Sequence, residues 1–488
     1  MSILLLGLLA FGGINKALSY DESIYLGIAR TITRTGLPYR IGNSAGDELG
    51  ESPFNSRILS TNPPLVLYAV SAPLRWRPTE TFGPRLLYLF LFVVPVYLLV
   101  PWLAAHEFSL AAALNAALLM LFSRHYYDSV PRVLLNIPLG LFSLLTLWFY
   151  SRSLENVPRR RRMLLTSCLM MAAATTTKYQ AIVILGAAGL EALLGSKDPA
   201  QRRRALVSFA ALGASGALAF AALLALFHAG DPDVFAKLGE NLSRLVGARS
   251  ASASSGGLSA GLVAGRALWT LGTPLPALAL APFLLGRPLP RFARLLGAFC
   301  LLTLAFNLLA RRWAGAGTSY LLPIFPPLAI LAGYGIHLLL AARPSRVRVG
   351  LLVVLGIIQL AIGCPRTGLW PDLHPTQPEL IGRHIARHRR PESRILAFDC
   401  SAQFFSDVPT GLLQYWAPKR VLAALGGDST HVDFVVLPEP AGLNQPAFDH
   451  RTTLKPIWPD VRRLIRERFK PVDLGPDFTL YERLRPSL

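Results

Sequence analysis

The sequence predicts an all-α polytopic membrane protein, with about 11 transmembrane helices and a small C-terminal α/β domain. Three observations lead there. Of the 488 residues, 52% are hydrophobic and 16% charged, against about 25% charged in soluble domains. Apolar runs recur to about residue 364 and then stop. Basic residues fall in short clusters between those runs, so the net charge of +21 belongs to loops and excludes nucleic acid as a partner. Cys168, Cys300, Cys364 and Cys400 lack metal-ligand spacing. The first two sit inside apolar runs, which excludes a disulfide framework.

Measured against the ~20 apolar residues that cross a bilayer, the spans fall at about 2–18, 83–104, 108–123, 133–150, 163–177, 179–194, 205–228, 266–286, 292–310, 319–341 and 347–364. The stretch 163–194 is broken at Thr175-Thr176-Thr177-Lys178. A lysine in mid-bilayer is costly, so the stretch reads as two short helices meeting at one membrane surface. With a cytoplasmic amino terminus, the arginine clusters at 159–162 and 202–204 face inward, as do Arg287, Arg291, Arg343 and Arg346. The short outer loops then hold only Arg124, Arg132, Lys178, Arg311 and Arg312, the asymmetry of the positive-inside rule. The first span can also be read as a cleaved signal peptide, with no basic residue before Ile3. A start codon placed too far downstream explains the same missing flank. Either way the next segment lies outside.

The transmembrane domain is therefore 1–364, with a long outer loop at 19–82 that opens in an amphipathic helix from Asp21 to about Thr35. Residues 365–488 change character. Arg394-Ile395-Leu396-Ala397-Phe398, Asp433-Phe434-Val435-Val436-Leu437 and Phe478-Thr479-Leu480-Tyr481-Glu482 read as strands, and Val461 to Phe469 as a helix. They form a second domain on the outer side.

The outer face collects the chemistry. Asp21 and Glu22 stand where the first span ends, and helix geometry puts Asp21, Tyr25 and Ile28 on one face. Alone, Asp21 reads equally as a helix N-cap. Lys178, Arg132, Arg311 and Arg312 lie on the same side, where arginines beside spans are the less common case. Cations beside a carboxylate at a membrane surface suit an anionic lipid head group. One reaction fits both: sugar transfer from a polyprenyl phosphate. The phosphate leaves without a general acid once cations neutralise it, and a carboxylate supplies the base for the acceptor hydroxyl.

Over about residues 15–345 the sequence resembles the C-type (GT-C fold) membrane glycosyltransferases, especially the protein O-mannosyltransferase and lipid A aminoarabinose transferase group. The segments that carry the resemblance are Asp21-Glu22 with Tyr25, Ala29-Arg30 and Thr35-Gly36-Leu37-Pro38-Tyr39; Asn62-Pro63-Pro64-Leu65; Gly83-Pro84-Arg85-Leu86; Thr177-Lys178-Tyr179; and Tyr320-Leu321-Leu322-Pro323 with Pro326-Pro327-Leu328. In that family the aspartate of the acidic pair is taken as the catalytic base. Two positions depart from the pattern. Asn136 stands where many relatives carry an acid, with Asp128 eight residues earlier, and Ser319 replaces an arginine before the Tyr-Leu-Leu-Pro segment.

The resemblance implies an inverting glycosyltransferase of the bacterial inner membrane, with its active site and C-terminal domain on the periplasmic side. Asp21 is the expected base, with Glu22 as a supporting acid or metal ligand. Lys178 is expected at the donor phosphate, with Arg132 and Arg312 as further candidates. Tyr25, Asn62, Asp128 and Tyr320 are expected at the substrates. The partners are a polyprenyl-phosphate-linked sugar, a lipid, glycan or protein acceptor, and membrane lipids. A divalent metal is compatible with the chemistry, but no His/Asp/Glu cluster has ligand spacing. The alternatives are a transporter or flippase of lipid-linked sugars, which would need ionisable residues deep in paired broken helices, and a non-catalytic binding protein.

Overall fold

The computed structural model describes residues 18–38, 63–121, 132–155, 158–236, 274–285, 288–309, 317–341, 376–397, 401–408, 410–413, 418–426, 432–438, 455–476 and 478–484, with a few positions between 343 and 354. Helix α1 (Tyr20–Thr35) forms where the outer amphipathic helix is expected. Ser19 caps it, its Oγ accepting from the Glu22 N–H at 3.4 Å. The cap is thus Ser19 and not Asp21, which leaves both carboxylates in the first turn, at the positive end of the helix. Gly36 ends α1 in the left-handed region at φ 76°. There a β-carbon would clash, so glycine serves. A short helix, α2 (Leu65–Ser71), packs on α1.

Helix α3 (Phe82–Glu107) runs through a π-turn at Leu89–Val93. Pro95 follows directly. Its ring would clash with the carbonyl four residues back, and the widened turn absorbs the conflict. Then come α4 (Leu110–Leu121), α5 (Asn136–Ser153), α6 (Arg160–Thr175), α7 (Ile182–Leu194), α8 (Pro199–Gly230), α9 (Pro274–Leu284), α10 (Arg291–Leu309) and α11 (Phe325–Leu340). A helix therefore stands at each expected span from 83 to 341. The span at 2–18, apart from Leu18, and nearly all of 347–364 lie outside the described residues. Among the described residues, Phe82–Glu107, Pro199–Gly230 and Leu321–Leu340 are long and apolar enough to cross a membrane. The last is buried along most of its length, whereas α8 exposes most of its surface.

Helix α11 is central because it is small where neighbours approach. A Cβ on Gly333 would lie 2.5 Å from the Ala112 carbonyl oxygen of α4, and one on Gly335 would lie 2.1 Å from that of Leu278 in α9. Backbones that close are how helices associate without a hydrophobic driving force. The break expected at Lys178 is present. Thr175, Thr176 and Thr177 turn their hydroxyls back onto the carbonyls of Met171, Ala172 and Ala173 at 2.7–2.9 Å, ending α6. Lys178 is extended, and a single 3₁₀ turn at Tyr179–Ala181 opens α7.

The C-terminal segment comprises α12 (Gln377–His388), β1 (Arg394–Ala397), α13 (Ser401–Ser406), β2 (Thr410–Leu412), α14 (Pro418–Gly426), β3 (Val432–Pro438), α15 (Trp458–Arg468), β4 (Phe469–Val472) and β5 (Phe478–Arg483). The sheet order is β2-β1-β3-β5-β4. Strands β2, β1 and β3 are parallel; β5 is antiparallel to β3 and β4. Leu396, Val435 and Leu437 pack under α14 and α15, while Ile395, Phe434 and Val436 pack under α12. Both faces are covered, so β1 and β3 read as unbroken apolar runs. The three expected strands and the expected helix are present. The two unanticipated strands are β2, three residues long with Gly411 inside, and β4, an edge strand carrying Pro471.

Gly335→Val is expected to abolish the monodisperse peak in detergent size-exclusion chromatography. Gly213→Ala, in α8 with no atom within 4 Å of its Cβ position, is expected to leave that peak unchanged.

Candidate active site

Helix α1 carries two carboxylates with different surroundings. Glu22 is completely buried. Its Oε1 accepts from Arg85 Nε at 2.8 Å and from the Val133 N–H at 3.0 Å, and its Oε2 accepts from Arg85 Nη2 at 2.7 Å. Arg85, at the N-terminal end of α3, is 1% exposed. This is a fork-on-fork pair in which both oxygens are engaged. Glu22 thus joins α1, α3 and the segment that enters α5. Nearby, Tyr88 donates to the Leu134 carbonyl at 2.6 Å and ties α3 to the same entry.

Asp21, one position earlier, is open to solvent while protein surrounds it on most sides. Partial burial raises its pKa, and the Lys178 ammonium opposes that rise. Lys178 lies in the turn between α6 and α7, outside both helices, and is buried. Its Nζ donates to Asn136 Oδ1 at 2.6 Å. Burial lowers its pKa to about 8, with Asp21 pulling it up. The Leu65 N–H donates to the Thr176 carbonyl at 3.0 Å, so the Pro-Pro-Leu segment docks on the Thr-Lys turn.

The structure therefore pairs Lys178 with Asn136, with Asp21 within electrostatic reach of the ammonium. Arg132 directly precedes Val133 and is half-buried, with a buried Nε that makes no hydrogen bond. Tyr25 stands on α1 one turn from Asp21 and is buried, as is Ile28. Tyr320 falls in a 3₁₀ helix, Gly317–Ile324, just before α11. Asn62, Asp128 and Arg312 lie outside the described residues. Among the described residues no group of three or more His, Cys, Asp or Glu could hold a metal ion. Sequence reasoning missed Arg85 as the partner of Glu22. The available signal was an arginine at the outer mouth of an apolar span, a position that calls for a counter-charge.

No curated protein matches the chain by sequence. Residues 61–227 match the family model of dolichyl-phosphate-mannose-protein mannosyltransferases. By structure, the chain is similar to ArnT from Cupriavidus metallidurans bound to undecaprenyl phosphate, with TM-score 0.64 and 14% identity over 98% of this chain and 97% of that one. The chain has the GT-C fold. The oligosaccharyltransferase of Archaeoglobus fulgidus is a more distant example, with TM-score 0.57 and 14% identity over 90% of this chain and 69% of that one. The match to ArnT runs through the C-terminal segment as well, so the GT-C likeness extends past the 15–345 region that carries the sequence motifs.

Breaking the Glu22–Arg85 pair would strand a buried charge, at a cost of about 3–5 kcal/mol. Glu22→Gln keeps the volume but loses the charge, and is expected to lower the thermal unfolding midpoint in detergent. Glu80→Gln, whose carboxylate meets Arg77 at the exposed surface, is expected to shift it hardly at all.

Proposed function

We propose that this chain is an inverting glycosyltransferase that moves a monosaccharide from a polyprenyl-phosphate donor to an acceptor hydroxyl. What supports the reading is the buried Lys178 ammonium, which donates to Asn136 at the start of α5 and lies within electrostatic reach of the Asp21 carboxylate. Asp21 takes the acceptor proton as its oxygen bonds to the anomeric carbon. The bond from that carbon to the phosphate oxygen breaks on the opposite face, and its electron pair leaves with the phosphate. Lys178 meets the negative charge that develops there. Arg132, with its unengaged Nε, is the next cation toward the donor.

The GT-C neighbour that binds undecaprenyl phosphate supports a lipid-phosphate donor. The charge asymmetry of the loops supports a site on the periplasmic face of a bacterial inner membrane, with residues 365–488 as a domain on that side of a transmembrane domain, 1–364. Asn136 adds a distinct electrostatic feature. It accepts from Lys178 without bringing a charge, so Asp21 is the carboxylate whose field Lys178 feels most.

In membranes charged with radiolabelled polyprenyl-phosphate sugars, Asp21→Asn at equal expression is expected to lose at least about 100-fold in transfer, the range of a general base. Equal transfer by both proteins would remove Asp21 as the base. Lys178→Met is expected to raise the donor KM more than tenfold, since a charge-assisted contact to the phosphate is lost.

The pH profile of the wild type is expected to be bell-shaped. Asp21, with its raised pKa, must lose its proton before it can act, so the rate climbs from the acidic side. The rate then falls as pH passes about 8, where Lys178 gives up its charge. In Lys178→Met that alkaline fall should disappear.

A further inference from the structure

The C-terminal segment packs back on the helix that bears Asp21, and one residue of that contact has an unusual conformation. Asp407 follows α13 with φ 58°, the only non-glycine residue with positive φ among the described residues. Its N–H donates to the Gln403 carbonyl at 2.9 Å, closing α13 in the manner usually given to glycine. Arg389 of the C-terminal segment donates to the Ser406 and Asp407 carbonyls at 2.9 and 3.1 Å and holds the turn in place. A position that glycine would fill more easily has kept a carboxylate, and that carboxylate points at α1. Asp407 Oδ1 lies 3.0 Å from Arg30 Nη2, and Oδ2 lies 2.9 Å from Arg34 Nη1.

Arg30 is fully buried, and its Nη1 donates to the Phe404 carbonyl at 2.6 Å. Its guanidinium carbon also lies 5.2 Å from the Phe404 ring centroid. Burial pulls its pKa down to about 10, against the pull of Asp407. Arg30 and Arg34 are one helical turn apart, so one carboxylate grips the same face of α1 twice.

We propose that Asp407 is a positioning residue for the base, acting through Arg30 and Arg34 as a second fixed point on α1. The first fixed point is Glu22 on Arg85. One such point leaves a helix free to rotate about it, and two do not. Arg30 stands nine residues from Asp21, a lever of about 14 Å. A rotation of about 10° about a pivot about 6 Å away moves a carboxylate by about 1 Å, and misplacement of that size costs about 100-fold in rate. The inference deepens the proposed function and rests on it for the catalytic consequence. The mechanical part stands by itself.

The test uses the full chain. Asp407→Asn keeps a residue type that tolerates left-handed backbone and removes the charge. Hydrogen exchange of peptides from α1 is expected to speed up by about tenfold or more, with β3 unchanged, because local opening is released while the sheet is not. In the transfer assay kcat is expected to fall about tenfold or more with donor KM within about twofold, the pattern of an interaction felt at the transition state. Unchanged exchange in α1, equal acceleration in β3, or a loss confined to KM would each overturn the proposal. Arg34→Gln, at a half-exposed position, offers a variant with little folding risk. It is expected to speed exchange in α1 less than Asp407→Asn and to add nothing in the double variant, whereas additive effects would overturn the coupling. The exchange readout needs no sugar transfer, so failure of the clamp and failure of the glycosyltransferase reading are separable.

Discussion

The bidentate ion pair between Glu22 and Arg85 is the constraint on which the candidate site is built. It joins residues 63 apart in sequence, and the Val133 N–H on the same oxygen extends the tie to 111. Each ion taken out of water costs several kcal/mol, returned only when geometry and remaining hydrogen bonds are good. Here both carboxylate oxygens and two guanidinium nitrogens are engaged. Such a pair adds little net stability over apolar packing. What it supplies is uniqueness: one register of α1 against α3 and the entry to α5.

Division of labour between adjacent acids follows from helix geometry. Successive side chains are about 100° apart around the axis, so Glu22 can face the protein while Asp21 faces open space. Ser19 completes the arrangement by taking the capping duty that either acid could have filled. Across from them, Lys178 is presented by three threonines that bond back to their own helix and so end it. A buried charged side chain thus stands on a helix break whose polar groups are satisfied locally.

Legibility in the sequence tracks the range of the interaction. Helices α3 to α11 were visible as apolar runs, the interruption at Lys178 as polar residues inside one of them, and β1, β3 and β5 as apolar segments of strand length. Strands β2 and β4 were hidden by brevity, Gly411 and Pro471. Helix α2 was lost in a loop rich in proline. At the site, Asp21 and Lys178 stood out as charges in places where charge is costly. The partner of Glu22 did not, because local pattern says which group needs a counter-ion and not which distant segment provides it. Arg30 was recognisable as part of a motif, but its partner lies 377 positions away, in a turn whose backbone conformation no composition rule signals.

The π-turn at Leu89–Val93 has a reach beyond its five residues. A π-turn stores one extra residue in a helix, and one residue is worth about 100° of azimuth. The apolar face that Val96, Val100 and Leu103 bury lies below it, and Arg85 lies above. Without that stored residue, a helix seated in the same groove would aim Arg85 about a quarter-turn away from Glu22. The bearing of the acidic pair is therefore indexed from inside the hydrophobic layer, by a dislocation in the winding of a neighbouring helix that itself carries none of the chemistry.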